Sequence, residues 1–237
     1  MTPNGIHVET GDSDGDRQNW NDCRIAVEGD NGASRADDVG FIARLIGRFI
    51  SRQHIDADRV YVTGASNGGM MSLRLITEIG DRLAAAVVFI ANQPQRTDCP
   101  EPRFAVPLML LNGTDDPLIR WQGGPIRDKG PALMSTPDTL RYWLQVNHGS
   151  TQPGETLRLP DTNRRDDSHI ERSIYPPLSG GQPLWFYKVV GGGHTMPSKR
   201  HRVPRIARWL VGNQNRDVEG AALAWDFLRR FRRQNPH

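Results

Sequence analysis

The sequence predicts an α/β fold with a mostly parallel, doubly wound sheet, and three observations carry that prediction. The runs "AAAVVFIA" (Ala84 to Ala91) and "VPLMLLNG" (Val106 to Gly113) are continuously apolar, which suits parallel strands covered on both faces. Strand-like and helix-like stretches alternate from end to end, the order that builds βαβ units. Finally, "VYVTGASNGGMM" (Val60 to Met71) reads as strand, sharp turn and helix.

The elements follow in order. Ile6, His7 and Val8 predict the end of a strand, and the polar stretch from Gly11 to Gly32, rich in Asp, Asn and Gly, predicts loop. Asp37 or Asp38 caps a helix running to about Gln53, with Phe41, Ile42, Leu45, Ile46, Phe49 and Ile50 at helical spacing. "HIDADR" makes a turn into the strand from Val60 to Thr63, and a helix runs from Gly68 to about Ile79. Thr136 to His148 is a further helix, Thr151 to His169 a long polar excursion, and Pro183 to Val190 a strand. Two amphipathic segments close the chain, Val203 to Val211 and Ala221 to Phe231. There is no internal repeat and no linker, so residues 1–237 read as a single domain of ordinary α/β size.

Composition narrows the function classes. The net charge is +3, and the cations are 27 Arg and 3 Lys, scattered except in "RRFRR" (Arg229 to Arg233). Scattered arginine is no nucleic-acid footprint, and the terminal run reads as a solvated helix face. No apolar run reaches membrane-spanning length, so no membrane partner is expected. "MTPNGIHVETGDSDGD" has neither the basic nor the apolar region of a signal peptide. Cys23 and Cys99 lack metal-ligand spacing. They form one disulfide or stay two free thiols.

Gly64-Ala65-Ser66-Asn67-Gly68 fits G-x-S-x-G, a nucleophile elbow. The serine stands in a strained turn, its hydroxyl clear of the backbone, with a helix N-terminus behind it that favours negative charge. Composition alone yields roughly 0.1 such matches in a chain of this length, so the flanking strand and helix carry the assignment. An acylating serine needs a base, and the base needs a carboxylate to orient it. On α/β sheets that use this elbow the chain order is Ser, acid, His, each just past a strand end. The strand ending at Gly113 leads into "TDDP", so one of Asp115 and Asp116 is the candidate acid and the other a turn residue. The strand ending at Val190 leads into "GGGHTMP". Of seven histidines only His194 directly follows a strong strand, and it comes in the required order.

"WNDCR", "DDVGFI", "RVYVTGASNGGMMSLRL", "NGTDDPLI" and "VGGGHTMP" together resemble the esterase family of polyhydroxybutyrate depolymerases, LpqC-like proteins and related feruloyl esterases. The resemblance runs from about Pro3 to Phe231. It implies an α/β-hydrolase fold, Ser66 as nucleophile and His194 as base. The acid precedes proline in the family pattern, which selects Asp116. The Asn67 backbone N–H becomes an oxyanion donor, and Trp20 and Trp121 are candidate walls of an acyl or aryl pocket, whereas Trp185 reads as core. No metal or cofactor is implied. The implied partner is an ester, either a short hydroxyalkanoate polyester or oligomer, or an aryl ester such as a feruloyl one. Members are commonly exported, so an extracellular or periplasmic site is implied and Cys23 and Cys99 would lie near enough to bridge.

One part of the pattern does not match. The second oxyanion donor comes from an HG-rich loop, and this sequence has none; "MTPNG" stands where the family has already passed several strands. The expectation is a fold lacking its N-terminal strands, with the elbow strand open along one edge. Three readings follow: a serine esterase, a hydrolase remnant impaired by the incomplete oxyanion hole, or a serine peptidase on the same scaffold.

Overall fold

The computed structural model describes residues 6–7 (backbone), 18–25, 35–126 and 131–233. Its centre is a six-stranded sheet. Strands β3 (Tyr61–Ala65), β4 (Ala85–Phe89), β5 (Leu108–Gly113) and β10 (Leu184–Val190) lie side by side and parallel, followed by the antiparallel β9 (His169–Tyr175) and β8 (Glu155–Arg158), in the order β3-β4-β5-β10-β9-β8. Every residue of β4 and β5 is buried, as their unbroken apolar sequence requires.

Helices cover both faces. Helix α1 (Asp38–Gln53) starts where the Asp37 side chain accepts from the Gly40 N–H at 2.8 Å, the cap read from the sequence. Helix α2 (Asn67–Ile79) begins directly after Ser66 and buries Met70, Met71, Leu73, Leu75, Ile76 and Ile79. Helix α3 (Thr136–Val146) is capped by Ser135 and buries Trp143 completely. These three share one hydrophobic cluster with the sheet face of Ala86, Val88, Leu108 and Leu110. Helix α5 (Gly220–Leu228) covers the other face, packing Phe227 on a cluster with Val87, Met109 and Tyr187. A short helix, α4 (Arg208–Val211), precedes it, and β6 (Gly124–Pro125) and β7 (Ala132–Leu133) pair antiparallel in a separate two-stranded sheet.

Three expectations need correction. The polar excursion of residues 151–169 contains β8 and the start of β9, so β8, β9 and β10 follow one another with no helix between them. Their charged residues pair between neighbouring strands, on opposite faces of the sheet: Arg172 with Glu155, and Lys188 with Glu171 at 3.2 Å. Cross-strand ion pairs are how polar strands are built, and such residues look like loop when read singly. Second, Gln18–Asn19 forms a short strand, β2, antiparallel to β1 (Ile6–His7), inside the stretch read as loop. The mostly parallel sheet with helices on both faces is the α/β fold class the sequence predicts, the chain moving outward from β5 to β8 and returning through β9 to β10. Third, the terminal arginines are not merely solvated. Arg230 lies over the Trp185 ring, and Arg232 and Arg233 pair with Asp56 and Asp58.

Among the described residues β3 pairs with β4 alone, so the elbow strand is an edge strand. No described helix is long and apolar enough to cross a membrane.

Candidate active site

The turn after β3 sets Ser66 at φ 55°, ψ −123°, a backbone region that costs a non-glycine residue about 1–3 kcal/mol. Glycine makes this turn possible: a Cβ on Gly64 would stand 2.0 Å from the Gly68 carbonyl oxygen. The strained serine is held by its own N–H, which donates to Phe89 O on β4 at 3.0 Å.

Asp116 follows β5. It is buried, and its Oδ1 accepts from the N–H groups of Leu118 and Ile119, both at 2.8 Å. Asp115 is exposed and accepts from the Thr114 hydroxyl. Two adjacent aspartates thus have opposite surroundings, and the one before Pro117 faces inward.

His194 follows β10. Its Nδ1 is 2.8 Å from Asp116 Oδ2 and its Nε2 is 2.9 Å from Ser66 Oγ. With Nδ1–H donating to the carboxylate, Nε2 is left as acceptor for the serine hydroxyl. The loop carrying His194 threads closely against its neighbours: a Cβ on Gly193 would meet Val211 O at 2.3 Å. His194 N–H donates to Val211 O at 2.6 Å, and Gly193 N–H to Asn213 O at 2.8 Å.

Sequence reading missed the support beneath this loop. Asn213 donates through Nδ2 to Asp166 O and to Gly191 O. Asp217 accepts from the N–H groups of Thr162 and Asn163 and from Asn215 Nδ2. Asp166, Asn215 and Asp217 are all buried, so this is a satisfied polar network of the kind that fixes one conformation. These residues lie in the excursion and in "GNQNRD", where nothing in the sequence marks them as paired.

Sequence reading also missed what holds the Ser66 turn. Asn67 Oδ1 accepts from Trp20 N–H at 2.7 Å, and its Nδ2 donates to Trp20 O at 3.2 Å and to Asp22 Oδ2 at 2.6 Å. Trp20 is half-buried against the core, with its indole nitrogen 4.0 Å from where a Gly68 Cβ would be. Trp121 packs its ring on Phe186, centroids 6.1 Å apart, beneath Lys188 Nζ. Trp185 lies in β10 against Phe227, as core. Cys23 and Cys99 are joined in a disulfide, Cα atoms 5.5 Å apart. Glu78 Oε1 lies near both sulfurs, but it is ion-paired with Arg74 at 2.6 Å, and bridged sulfurs offer no thiolate to a metal.

A serine in a strained strand-to-helix turn, with Asp and His at later strand ends of a mostly parallel sheet, defines an α/β-hydrolase, and the chain has that fold. The fold is shared with the acetyl xylan esterase from Aspergillus awamori: TM-score 0.51 at 18% identity, over 76% of this chain and 69% of that one. In sequence the chain is similar to proteins named as esterases. It is 28% identical over 200 residues to NocK of Nocardia uniformis subsp. tsuyamanensis, assigned as an esterase, covering 81% of this chain and 57% of that protein. It is 26% identical over 203 residues to feruloyl esterase B of Piromyces equi, covering 83% of this chain and 32% of that protein. The prolyl oligopeptidase family profile matches residues 10–92, which include the elbow. The chain spans just over half the length of NocK and a third of feruloyl esterase B.

Proposed function

We propose that the chain is a serine carboxylic ester hydrolase working through Ser66, His194 and Asp116. The observation that carries this reading is the continuous hydrogen-bonded series Ser66 Oγ to His194 Nε2 at 2.9 Å and His194 Nδ1 to Asp116 Oδ2 at 2.8 Å, set at three strand ends.

The chemistry follows from these positions. His194 Nε2 takes the hydroxyl proton as Ser66 Oγ attacks the ester carbonyl carbon. Asp116 keeps the imidazole in the required tautomer and stabilises the imidazolium. The carbonyl electrons move onto oxygen, where the Asn67 N–H at the start of α2 donates to the oxyanion; one such donor is worth about 2.7–4 kcal/mol of barrier. The intermediate collapses, the C–O bond to the leaving alcohol breaks, and His194 returns its proton to that oxygen. Water, deprotonated by His194, then attacks the acyl-enzyme and releases the acid and Ser66.

The substrates proposed are esters of small acids, either aryl esters of the feruloyl type or short hydroxyalkanoate esters. A relative named as a feruloyl esterase supports the first. Trp20 and Trp121 are proposed as pocket walls. The reading treats residues 1–237 as one hydrolase domain. It places the protein outside the reducing cytosol, supported by the Cys23–Cys99 bridge.

The test is hydrolysis of p-nitrophenyl butyrate together with fluorophosphonate labelling. Turnover and a label on Ser66 are expected; neither should survive Ser66→Ala. A second reading, peptide-bond hydrolysis, is favoured by the prolyl oligopeptidase match over residues 10–92. Faster cleavage of a matched anilide than of the ester would select it. A label without turnover would select the third reading, an impaired remnant.

A further inference from the structure

We propose that Asp22 is a positioning residue for the oxyanion donor, acting through the Asn67 side chain; this rests on the serine-hydrolase reading above. The elbow reads Gly64, Ala65, Ser66, Asn67, Gly68, Gly69. Three of these six carry no side chain, and the Ser66 hydroxyl must stay free to react. Asn67 is therefore the one long side chain by which this turn can be anchored. All of that side chain's amide groups are used: Oδ1 by Trp20 N–H, and Nδ2 by Trp20 O and by Asp22 Oδ2, the last at 2.6 Å.

Asp22 is itself fixed. It is 4% exposed, and Arg24 Nε donates to its two oxygens at 2.8 and 3.0 Å. The ion pair offsets the carboxylate charge, which would otherwise oppose the negative charge developing on the oxyanion. The segment carrying both residues is tied down on every side. Asn21 N–H donates to Asp38 Oδ2 at 2.7 Å, Arg74 donates to Asn21 O at 2.6 Å, and Cys23 is bridged to Cys99.

The location explains the need. β3 has a strand neighbour on one side only among the described residues, so the sheet restrains the elbow from β4 and no described strand does so from the other flank. The Trp20–Arg24 segment supplies that second restraint. A displacement of about 1 Å in such a donor can cost up to about 100-fold in rate, and a charge-assisted bond to the amide is the stronger kind of tether.

The experiment compares wild type, Asp22→Ala, Asp22→Asn, Asn67→Ala, Asp22→Ala with Asn67→Ala, and Ser66→Ala in the full chain. It measures kcat and KM on p-nitrophenyl butyrate, inhibition by phenylboronic acid (whose tetrahedral adduct occupies the oxyanion position), and melting temperature. Asn67→Ala keeps the backbone donor and removes only its anchor. The expected result for Asp22→Ala and Asn67→Ala is a kcat about 10- to 100-fold lower, KM within twofold, and boronate affinity weakened by the same factor as kcat. The double variant should lose no more than either single one. Asp22→Asn, which still accepts from Asn67, should recover most of the rate. If Asp22→Ala does not fold, Asn67→Ala decides by the same criteria. A folded variant with kcat within twofold of wild type, a loss confined to KM, or additive losses in the double variant would overturn the proposal. Activity surviving in Ser66→Ala would instead overturn the serine-hydrolase reading.

Discussion

Asp116 and His194 sit at the ends of β5 and β10, in the middle of the sheet, whereas Ser66 and Asn67 sit at the end of β3, its edge among the described residues. The two halves of the site are held differently. On the Asp116–His194 side, each strand has a neighbour on both flanks, the half-buried Asn213 bonds the loop backbone at Gly191, and the buried Asp166, Asn215 and Asp217 form a polar network behind it. On the nucleophile side, α2 and β4 hold one flank, and a non-sheet segment, stapled by a disulfide, holds the other. The contrast separates two ways of fixing a reacting group. A group braced by the core shares the stability of the core. A group braced by a tethered loop can lose its alignment while the protein stays folded.

The largest effect expected concerns the shared chemistry. Ser66→Ala should lower kcat by about 10⁵- to 10⁶-fold, and Asp116→Asn by about 10⁴-fold through the wrong imidazole tautomer. Asp115→Asn should stay within twofold, because that side chain is exposed and bonds Thr114. A reversal of the two aspartates in steady-state assays would break the assignment of the acid.

Next comes the brace of the acid–base side. Asp217→Ala removes the acceptor of the Thr162 and Asn163 N–H groups and of the buried Asn215 amide. A destabilisation of about 3 kcal/mol is expected in urea denaturation, with kcat per folded molecule falling as well. Asp22→Ala should show the opposite balance, a larger loss of kcat than of stability. Equal profiles for these two variants would erase the distinction between the halves.

The disulfide closes a separation of 76 residues. Cys23→Ser with Cys99→Ser should cost about 2–4 kcal/mol and lower kcat several-fold by loosening the segment that holds Asn67. Retained kcat in the folded double variant would show that the staple serves stability alone.

The smallest effect is a pH dependence. Burial pushes the Asp38 carboxyl above its usual 3.8, against the lowering effects of the Asn21 N–H and the Arg74 charge. The folded state therefore binds this proton more tightly than the unfolded state does, and stability falls as pH rises from the ordinary value through the raised one. Asp38→Asn keeps an acceptor for Asn21 and removes the charge. Its melting temperature should exceed that of wild type slightly near neutrality, with the gap closing as pH falls towards 3.8.

The sequence makes the two halves unequally legible. The positions of Ser66 and His194 are readable because each follows a strand-like run, whereas strand position leaves Asp115 and Asp116 open and the resemblance alone selects Asp116. The helices α1, α2 and α3 are readable from their spacing and, for α1, its cap. The braces are not. Asp22, Asp166 and Asp217 are polar residues in polar stretches, and their partners lie 45 to 55 positions away. A carboxylate that bonds distant backbone looks, in the chain, like one that bonds water. Strands β9 and β8 are hidden for a related reason, since their ion pairs form between strands and leave no periodic apolar mark. "WNDCR" was visible as a motif, but its physical work appears only once Asn67 is seen between Trp20 and Asp22.

The most direct measurement of the central claim is the site and rate of covalent capture by a fluorophosphonate, read by peptide mass spectrometry at neutral pH. The account predicts a single adduct on Ser66, absent in Ser66→Ala and strongly slowed in His194→Ala. Ester hydrolysis with the label on another residue, or with Ser66 unlabelled, would contradict it.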